Sequence, residues 1–525
     1  MGPRGQNARV RTFEDRLLLV LTAYSLLILF TTPIPPMTDL PTHLASAAVL
    51  RDFDGSPLRE AFDVRGWLNS NRLFAFAAGH TPRFLPMTWI GKAGLSLWLL
   101  LPLIARRYLA TWRPGAAPWA SLACLLSFSS LFNCGYVPYL IGVPLAALAI
   151  ALPWAAQQSP RWRSLVLPAG LLTLAVYAHV LAFLAGAFAV AATCVAVRSS
   201  LRSWLSRALV LLPSSVLCLA IYLENRGPAG LDIAPIKPDW TFARRLFEKA
   251  ISIADVFISF RVREEVLLFG IPLAVVCMLG VLGLISRKDR PRRGPALMGI
   301  LMTGLVLCFS NYFLGAERTD GRIIPVALIT GLGLLPVWSG RGRVTARRAL
   351  LIVLVVPTLL WAHWNYARAS TALESAYRAL LSVPPGQIAQ LEFAEDPLSG
   401  VERLAPYRHL QGYYIVERHG FAPGVLFAHG ETRWHPVSQV ARREWRRVGE
   451  LAGAETYVVI VGAQSIRGRL TREDRLFDDG RTIVVRERAA LLLGDSIRLI
   501  DQLNPTRPSD ASVRLPLIGV ERPGE

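Results

Sequence analysis

Apolar blocks of bilayer length recur through residues 1–366 of this 525-residue chain, and they restrict its fold more than any other feature. Each block is about 15–22 residues long, the length at which a helix crosses the hydrocarbon core of a membrane. Charged residues make up 18% of the chain, against about 25% in an ordinary soluble domain. We therefore predict an α-helical multi-pass membrane protein with about eleven transmembrane helices. The blocks cover 17–35, 88–105, 115–133, 138–155, 165–178, 181–197, 206–223, 265–286, 295–313, 323–339 and 349–364.

Arginine-rich connections between these blocks alternate with nearly uncharged ones. The basic clusters lie at 106–113, 161–163, 198–207, 287–293 and 341–348. Because basic loops stay in the cytoplasm, we expect a cytoplasmic N-terminus and an extracytoplasmic C-terminus. The loops 36–87 and 224–264 would then share the outer face with the C-terminal tail.

The hydropathy pattern divides the chain into a transmembrane domain over 1–366 and an extracytoplasmic α/β domain over 367–525. In the two outer loops, amphipathic patterns such as 39–53 and 242–262 predict interfacial helices that lie on the membrane surface. In the second domain, one helix is predicted at 437–451. Short strands are predicted at 387–393, 413–417, 457–461, 482–486 and 497–500.

Several function classes are disfavoured by composition and by the motifs that the sequence lacks. The net charge of +20 lies largely in the short loops between apolar blocks. Basic residues at these positions indicate how the helices are oriented in the membrane rather than binding to nucleic acid. The six cysteines fall in or beside apolar blocks and show no metal-binding spacing. The sequence contains no Walker A, H-E-x-x-H, G-x-S-x-G or Rossmann glycine motif. The energy for any reaction must then come from the substrate or from an ion gradient.

The most informative polar segment is Pro-Pro-Met-Thr-Asp-Leu-Pro-Thr-His, directly after the first apolar block. Its Asp39 and His43 are four residues apart, so a helix that begins there points both side chains the same way. Asp39 could take a proton from an acceptor hydroxyl, with His43 orienting it. The pair could instead bind a divalent cation such as Mg²⁺ or Mn²⁺. In the simplest alternative, Asp39 only caps the helix and His43 faces water.

Further polar residues gather at the outer ends of later blocks. Asn133, Tyr136 and Tyr139 flank the third and fourth blocks, and His179 separates two short helices. Polar groups at such breaks are tolerated where they are buried in protein or line a cavity. They are either part of a functional cavity or structural hydrogen bonds and interfacial anchors.

This arrangement resembles the GT-C class of membrane glycosyltransferases, which use polyprenyl-phosphate-linked sugars. The resemblance lies in the cytoplasmic N-terminus, the large first outer loop with Asp39 after the first span, the many helices and the C-terminal α/β domain. It implies that Asp39 acts as the catalytic base or binds a metal ion. It also implies a bacterial cytoplasmic (inner) membrane location.

In the same class, a basic residue in a late outer loop often contacts the lipid phosphate. Arg318 and Arg322, in the turn Glu-Arg-Thr-Asp-Gly-Arg, look similar to that residue. An arginine suits this role because its planar fork donates two hydrogen bonds to one phosphate. The alternative is a solvated turn whose acidic residues pair with these arginines. Weaker candidates for substrate binding are Lys237, in the second long outer loop, and Arg72 and Arg83, in the first.

The leading hypothesis is a glycosyltransferase that moves a sugar from a polyprenyl-phosphate carrier to a lipid, glycan or protein acceptor on the outer face. The partners would be this donor, its acceptor and membrane lipids, with no nucleic acid. The alternatives are a transporter or flippase of lipid-linked glycans and a catalytically silent GT-C-like scaffold. The spacing of His409, His419, His429 and His435 matches no metal motif, so we expect these histidines on the surface of the C-terminal domain.

Overall fold

The computed structural model describes 13–52, 62–64, 68–157, 160–197, 201–225, 262–285, 293–308, 321–394, 409–422 and 454–491, with short pieces at 249, 253–254, 256–257, 312–313, 316–317, 406–407, 437–439, 493 and 498–499. Helices dominate the described residues. The helices in the first half are α1 (Phe13–Thr31), α2 (Leu40–Asp52), α3 (Arg72–Gly79), α4 (Met87–Leu99), α5 (Leu101–Trp112), α6 (Ser130–Cys134), α7 (Val137–Ala151), α8 (Arg163–Ala178), α9 (Val180–Ala196) and α10 (Leu201–Asn225). Those in the second half are α11 (Val262–Ile285), α12 (Arg293–Cys308), α13 (Ile324–Gly331), α14 (Arg341–Ser382), α15 (Gly412–Arg418) and α16 (Glu487–Leu491).

Five helical stretches in the described part of the chain are long and apolar enough to cross a membrane. They cover Met87–Trp112, Pro114–Cys134, Trp204–Glu224, Glu264–Ile285 and Arg341–Ser382. Five shorter apolar helices accompany them, among them α7, α8 and α9. An apolar segment in lipid must satisfy its own backbone groups, and a helix does so within one segment. The count of eleven spans remains a prediction.

The last long helix, α14, does not end where the apolar block ends. It runs over 42 residues, about 63 Å at 1.5 Å per residue, and crosses the proposed boundary between 366 and 367 without a break. Between Pro357 and Pro384 the sequence contains no proline or glycine that would stop it. One continuous helix therefore connects the apolar region to the C-terminal sheet.

The short strands β2 (Tyr312–Phe313) and β3 (Ala316–Glu317) pair with each other. The C-terminal region contains a five-stranded mixed sheet of β4 (Ile388–Phe393), β6 (Thr456–Val461), β7 (Arg475–Asp478), β8 (Thr482–Arg486) and β9 (Arg498–Leu499). The strand order in this sheet is β7–β8–β6–β4–β9. Strands β4 and β6 are parallel, whereas the other neighbours are antiparallel. The predicted strands near 387, 457, 482 and 497 are confirmed, and β7 was not predicted.

Two sequence predictions in this region are wrong. Residues 413–417, predicted as a strand, belong to α15, in which Tyr413 to Val416 are all buried. Burial of this kind overrides the β-propensity of Tyr, Ile and Val. The predicted helix at 437–451 begins instead with strand β5 (Val437–Gln439), and its remaining residues lie outside the described part of the chain.

The segment 36–87 and the C-terminal region are joined at several points. Strand β1 (Phe62–Val64) pairs antiparallel with β5, so that Phe62 lies opposite Gln439. Helix α15 packs on α2, and ten of the thirteen residues of α2 are buried. Helix α2 was predicted as an interfacial helix on the membrane surface, and that prediction is corrected: protein encloses it. The predicted helix at 242–262 lies mostly outside the described residues.

At the start of α1, a buried carboxylate joins this helix to α14. The Glu14 carboxylate lies 2.6 Å from Nη2 of Arg347 and 3.2 Å from Nε of Arg348. Glu14 is 3% exposed. Removing one partner of a buried ion pair is strongly destabilising, and this pair joins the start of α1 to α14.

Candidate active site

Asp39 is held in place by its backbone at the junction between α1 and α2. Its carbonyl accepts the N–H of His43 at 3.1 Å, which begins the helix, and its own N–H donates to the carbonyl of Cys134 at 2.9 Å. The preceding Thr38 donates its N–H to the carbonyl of Asn133 at 3.3 Å. Two backbone hydrogen bonds therefore attach Thr38 and Asp39 to the end of α6.

Gly135 makes this close approach possible. Its φ of +73° is a conformation that side chains rarely adopt, as expected of a glycine that ends a helix. A Cβ atom at this position would lie 2.8 Å from the backbone nitrogen of Leu40 and 2.8 Å from the Cβ of Met37. Position 135 thus has no room for a residue larger than glycine.

The Asp39 side chain faces a histidine from the C-terminal region. Its Oδ1 lies 3.5 Å from Nε2 of His409, and the two side chains are only 10% and 6% exposed. The prediction that His409 lies on the surface is therefore wrong. The segment 409–418 turns inward onto α2, and neither the spacing of the histidines nor their sequence neighbours signalled this long-range contact. His419 is half-exposed and lies 3.9 Å from Asp52, whereas His429 and His435 lie outside the described residues.

His43 lies at the first turn of α2 and is half-buried. Asn133 is fully buried, and its Nδ2 donates to the carbonyl of Phe128 at 3.0 Å. That bond, with the bond from Thr38 to the Asn133 carbonyl, gives Asn133 a structural role in holding the turn beside Asp39. The functional roles predicted for His43 and Asn133 remain predictions.

A second group of predicted residues converges on Arg322. This arginine is 9% exposed and precedes α13. Its guanidinium carbon lies 4.6 Å from the ring centre of Tyr136 and 5.8 Å from that of Tyr139. Its Nη1 lies 3.2 Å from Nε2 of His179. The Tyr139 hydroxyl donates to the Arg322 carbonyl at 2.6 Å and so holds the backbone in place.

Among the side chains that the structure describes, which exclude those of residues 308–320, no carboxylate lies within 4.0 Å of Arg322. Its Nε is buried and has no hydrogen-bond partner among them. Nδ1 of His179 accepts the Leu181 N–H at 3.2 Å, which holds the ring in place beside the guanidinium. Because a buried cation is costly unless it is paired, this cluster is suited to an anion.

One short turn connects the two groups. Tyr136, which lies under the Arg322 guanidinium, follows Cys134 by two residues, and Cys134 accepts the Asp39 N–H. The same turn therefore positions a carboxylate on one side and a cation on the other.

The segment 36–87 contributes a polar stretch, Asn69 to Arg72, of which the sequence analysis selected only Arg72. Ser70 Oγ donates to the Val176 carbonyl at 3.4 Å and accepts the Val180 N–H at 3.2 Å, so it bridges the helix break at His179. Asn69, Ser70 and Arg72 are all buried. The sequence signal for this stretch was the run of four polar residues within a segment rich in Leu and Phe.

Two predicted binding residues, Arg318 and Lys237, lie outside the described residues. Within the described part of the chain, no group of three or more His, Cys, Asp or Glu side chains could hold a metal ion. The divalent cation that Asp39 and His43 could bind therefore remains a prediction.

Comparison with known proteins identifies the architecture. No family model matches the sequence, and no curated protein matches it. Among solved structures, apo ArnT from Cupriavidus metallidurans aligns over 91% of this chain and 99% of its own, with a TM-score of 0.50 and 11% identity. The chain has a GT-C-like architecture.

Two further structures match less well. ArnT from the same organism bound to undecaprenyl phosphate aligns over 90% of this chain and 98% of its own, with a TM-score of 0.47 and 11% identity. The arabinofuranosyltransferase AftD from Mycobacteria aligns over 85% of this chain and 35% of its own, with a TM-score of 0.39 and 16% identity. At these identities the likeness concerns the fold, so the chemistry is argued from the site itself.

Proposed function

We propose that the protein is a membrane glycosyltransferase that moves a sugar from a polyprenyl-phosphate carrier to a lipid, glycan or protein acceptor. The observation that carries this proposal is the buried Arg322 guanidinium, which has no carboxylate partner among the described residues and is set across one turn from Asp39. A transferase of this kind needs a cation for the leaving phosphate and a base for the acceptor, and Arg322 and Asp39, which both contact this turn, supply one of each.

Arg322 is the proposed phosphate-binding residue. Its guanidinium can donate two parallel hydrogen bonds to one phosphate, and such charge-assisted bonds are stronger than neutral ones. The rings of Tyr136 and Tyr139 restrict the guanidinium through cation–π contacts, and Nε2 of His179 lies 3.2 Å from its Nη1. ArnT, whose fold this chain shares, is known in a form bound to undecaprenyl phosphate.

Asp39 is the proposed base. The acceptor hydroxyl would form a bond from its oxygen to the anomeric carbon, while the bond from that carbon to the phosphate oxygen breaks. The electron pair leaves with the phosphate, whose charge Arg322 stabilises, and the acceptor proton moves to the Asp39 carboxylate. In this scheme His43 and Asn133 shape the Asp39 side of the site. Arg318 and Lys237 remain proposed contacts to the donor, and a divalent cation would be held on the Asp39 side.

The same proposal includes location and orientation. We place the protein in the bacterial cytoplasmic membrane, with the N-terminus inside, the domain over 1–366 in the membrane and the domain over 367–525 outside. Reporter fusions after Arg163, Arg207, Arg293 and Arg348 should then be cytoplasmic, and fusions at the C-terminus extracytoplasmic. A cytoplasmic C-terminus would contradict this orientation. The transporter alternative gains no support from Asp39 and Arg322, because each directly precedes a helix rather than lying mid-helix.

Binding of undecaprenyl phosphate to the purified protein in lipid nanodiscs tests the phosphate site. We expect Arg322→Ala to weaken binding about 10- to 100-fold, because hydrogen bonds to charged groups contribute about 1.5–3 kcal/mol. Arg322→Lys should recover part of that loss, since it keeps the charge but not the fork.

Two controls make this measurement specific. Arg378 is exposed and lies 3.8 Å from Glu374, so Arg378→Ala should bind like wild type. Undecaprenol, which has the same chain but no phosphate, should bind wild type and Arg322→Ala equally. Equal affinity of undecaprenyl phosphate for wild type and Arg322→Ala would reject Arg322 as the phosphate site.

A further inference from the structure

An apolar groove lies between the helix pair α4 and α5 on one side and α7 on the other. Its cavity volume is about 310 Å³, and seven of its eight lining residues are apolar. The eighth is Arg107, which is exposed. A groove with apolar walls and one cation is suited to a lipid with an acidic headgroup. The walls include Leu97, Leu103 and Ile104 from one side and Leu145 and Leu148 from the other.

Arg107 lies at the level where the neighbouring helices begin or end. Four residues later, the Thr111 hydroxyl donates to the carbonyl of Ala151, the last residue of α7, at 3.0 Å. The preceding residue, Arg106, lies 2.8 Å from Asp15 in the first turn of α1. From this level the groove extends back to Leu97, which is about 15 Å along the helices at 1.5 Å per residue. That length matches one leaflet of a hydrocarbon core roughly 30 Å thick.

The charge of Arg107 complements a phosphate from the membrane. Among the side chains that the structure describes, which exclude those of residues 286–293, no carboxylate lies within 4.0 Å of Arg107. An arginine near the end of a membrane helix extends its charged group to the headgroup level while its apolar stem covers the helix surface. Its guanidinium can donate two hydrogen bonds to one phosphate there.

We propose that this groove binds one anionic glycerophospholipid, with an acyl chain along the apolar walls and the phosphate on Arg107. The site is separate from the proposed transferase site. Tyr139, near the start of α7, donates to the Arg322 carbonyl, whereas the groove is lined by residues 144–148, nearer the end of this helix. The assignment of the lipid to the cytoplasmic leaflet rests on the orientation proposed above.

Native mass spectrometry of the full-length protein tests this proposal, with phosphatidylglycerol and phosphatidylcholine of identical acyl chains as probes. We expect wild type to bind one phosphatidylglycerol more tightly than phosphatidylcholine. Arg107→Ala should weaken phosphatidylglycerol binding about 5-fold, the effect of one basic residue at an anionic headgroup, and should leave phosphatidylcholine binding unchanged. The control is Arg341→Ala, which removes an exposed arginine at the start of α14 and should bind both lipids like wild type.

A second pair of variants tests the apolar walls. Leu145→Trp places a larger side chain in the groove, so it should weaken the binding of both phospholipids. Leu212→Trp is the matched control and should bind like wild type, because Leu212 is exposed on α10 and does not line the groove. The comparison of Arg107→Ala with wild type stands even if Leu145→Trp does not fold.

Three results would overturn the proposal. The first is equal affinity of phosphatidylglycerol for wild type and Arg107→Ala, or equal affinity of wild type for the two phospholipids. In the second, Arg107→Ala weakens binding of undecaprenyl phosphate and not of phosphatidylglycerol, which would assign the groove to a polyprenyl chain. In the third, wild type is a dimer that Leu145→Trp converts to a monomer, which would make the groove an interface between two copies.

Failure of this proposal is distinguishable from failure of the proposed transferase site. The phosphate site is tested by undecaprenyl phosphate binding to Arg322→Ala, and the phospholipid groove by phosphatidylglycerol binding to Arg107→Ala. We expect each variant to retain wild-type affinity for the other lipid.

Discussion

The backbone N–H of Asp39 donates to the carbonyl of Cys134 at 2.9 Å, two residues before the tyrosine on which the Arg322 guanidinium lies. This hydrogen bond relates the two ends of the proposed reaction. A displacement of the turn at 133–137 would move the carboxylate and the phosphate-binding cation together. Substitutions in that turn should therefore affect both ends of the proposed site.

Gly135→Ala should be destabilising and should impair the site. An alanine in the left-handed region costs about 1–3 kcal/mol, and its Cβ would overlap the backbone nitrogen of Leu40. We expect a lower thermal midpoint and turnover below the wild-type value. Gly170→Ala is the control, because no atom lies within 4 Å of the new Cβ and alanine favours a helix. Equal stability and activity of the two variants would show that the turn does not restrict Asp39.

Tyr136 should contribute through its ring and not through its hydroxyl. We expect Tyr136→Phe to bind undecaprenyl phosphate like wild type, since the ring still faces the Arg322 guanidinium. Tyr136→Leu should weaken binding by about 2- to 30-fold, because a cation–π contact contributes about 0.5–2 kcal/mol. The measurement is the Kd of undecaprenyl phosphate in nanodiscs. Tight binding by Tyr136→Leu would show that stacking does not preorganise the arginine.

Gly412→Ala should loosen the contact between the C-terminal region and the segment 36–87. The added Cβ would lie 2.6 Å from the Pro41 carbonyl oxygen, and backbone atoms at this distance must shift. Hydrogen exchange should become faster in both 409–418 and 40–52. Gly468→Ala, where nothing lies within 4 Å, should leave exchange unchanged. Unaltered exchange in Gly412→Ala would mean that α15 and α2 are not held in close contact.

Stability of the C-terminal sheet should depend on pH through Asp478. Burial acts to raise the pKa of this carboxyl, but hydrogen bonds from the Gly480 N–H, Arg467 and Arg475 outweigh it and lower the pKa below its ordinary value of about 3.8. A lowered pKa stabilises the folded state above the unfolded-state pKa, and this contribution is lost as the pH falls through the folded-state value.

Asp478→Asn should therefore unfold at a lower temperature than wild type at pH 7, and the difference should shrink as the pH falls below about 4. Glu374→Gln, on an exposed helix face, is the control and should match wild type at both pH values. A difference that stays constant from pH 7 to pH 3 would mean that the ionised form of Asp478 carries no part of this stability.

Local patterns were sufficient to predict the helical class, the strands around 388, 456 and 482, and the helix that begins after Asp39. Apolar length, two-residue periodicity and a short acidic side chain before a helix act within a few residues, so they can be read from the sequence. The sequence predicted only that these four residues lie on one face of the membrane, namely Tyr136, Tyr139, His179 and Arg322. It did not predict that the first three contact Arg322.

The contacts that complete the site are long-range, and the sequence carries no local sign of them. His409 meets Asp39, and Gly412 meets Pro41, across about 370 residues. The region 412–418 has the composition of a strand and folds as a helix because its surroundings bury it. Such outcomes depend on which elements meet in three dimensions, and local patterns in a single sequence do not reveal those contacts.

A structure of the protein with bound undecaprenyl phosphate tests the central claim most directly. The account predicts phosphate oxygens about 2.7–3.2 Å from the Arg322 guanidinium, on the side of the cluster that faces the Asp39 turn. A headgroup bound elsewhere, with Arg322 contacting only Tyr136, Tyr139 and His179, would contradict the proposal that this turn brings the leaving phosphate and the base together.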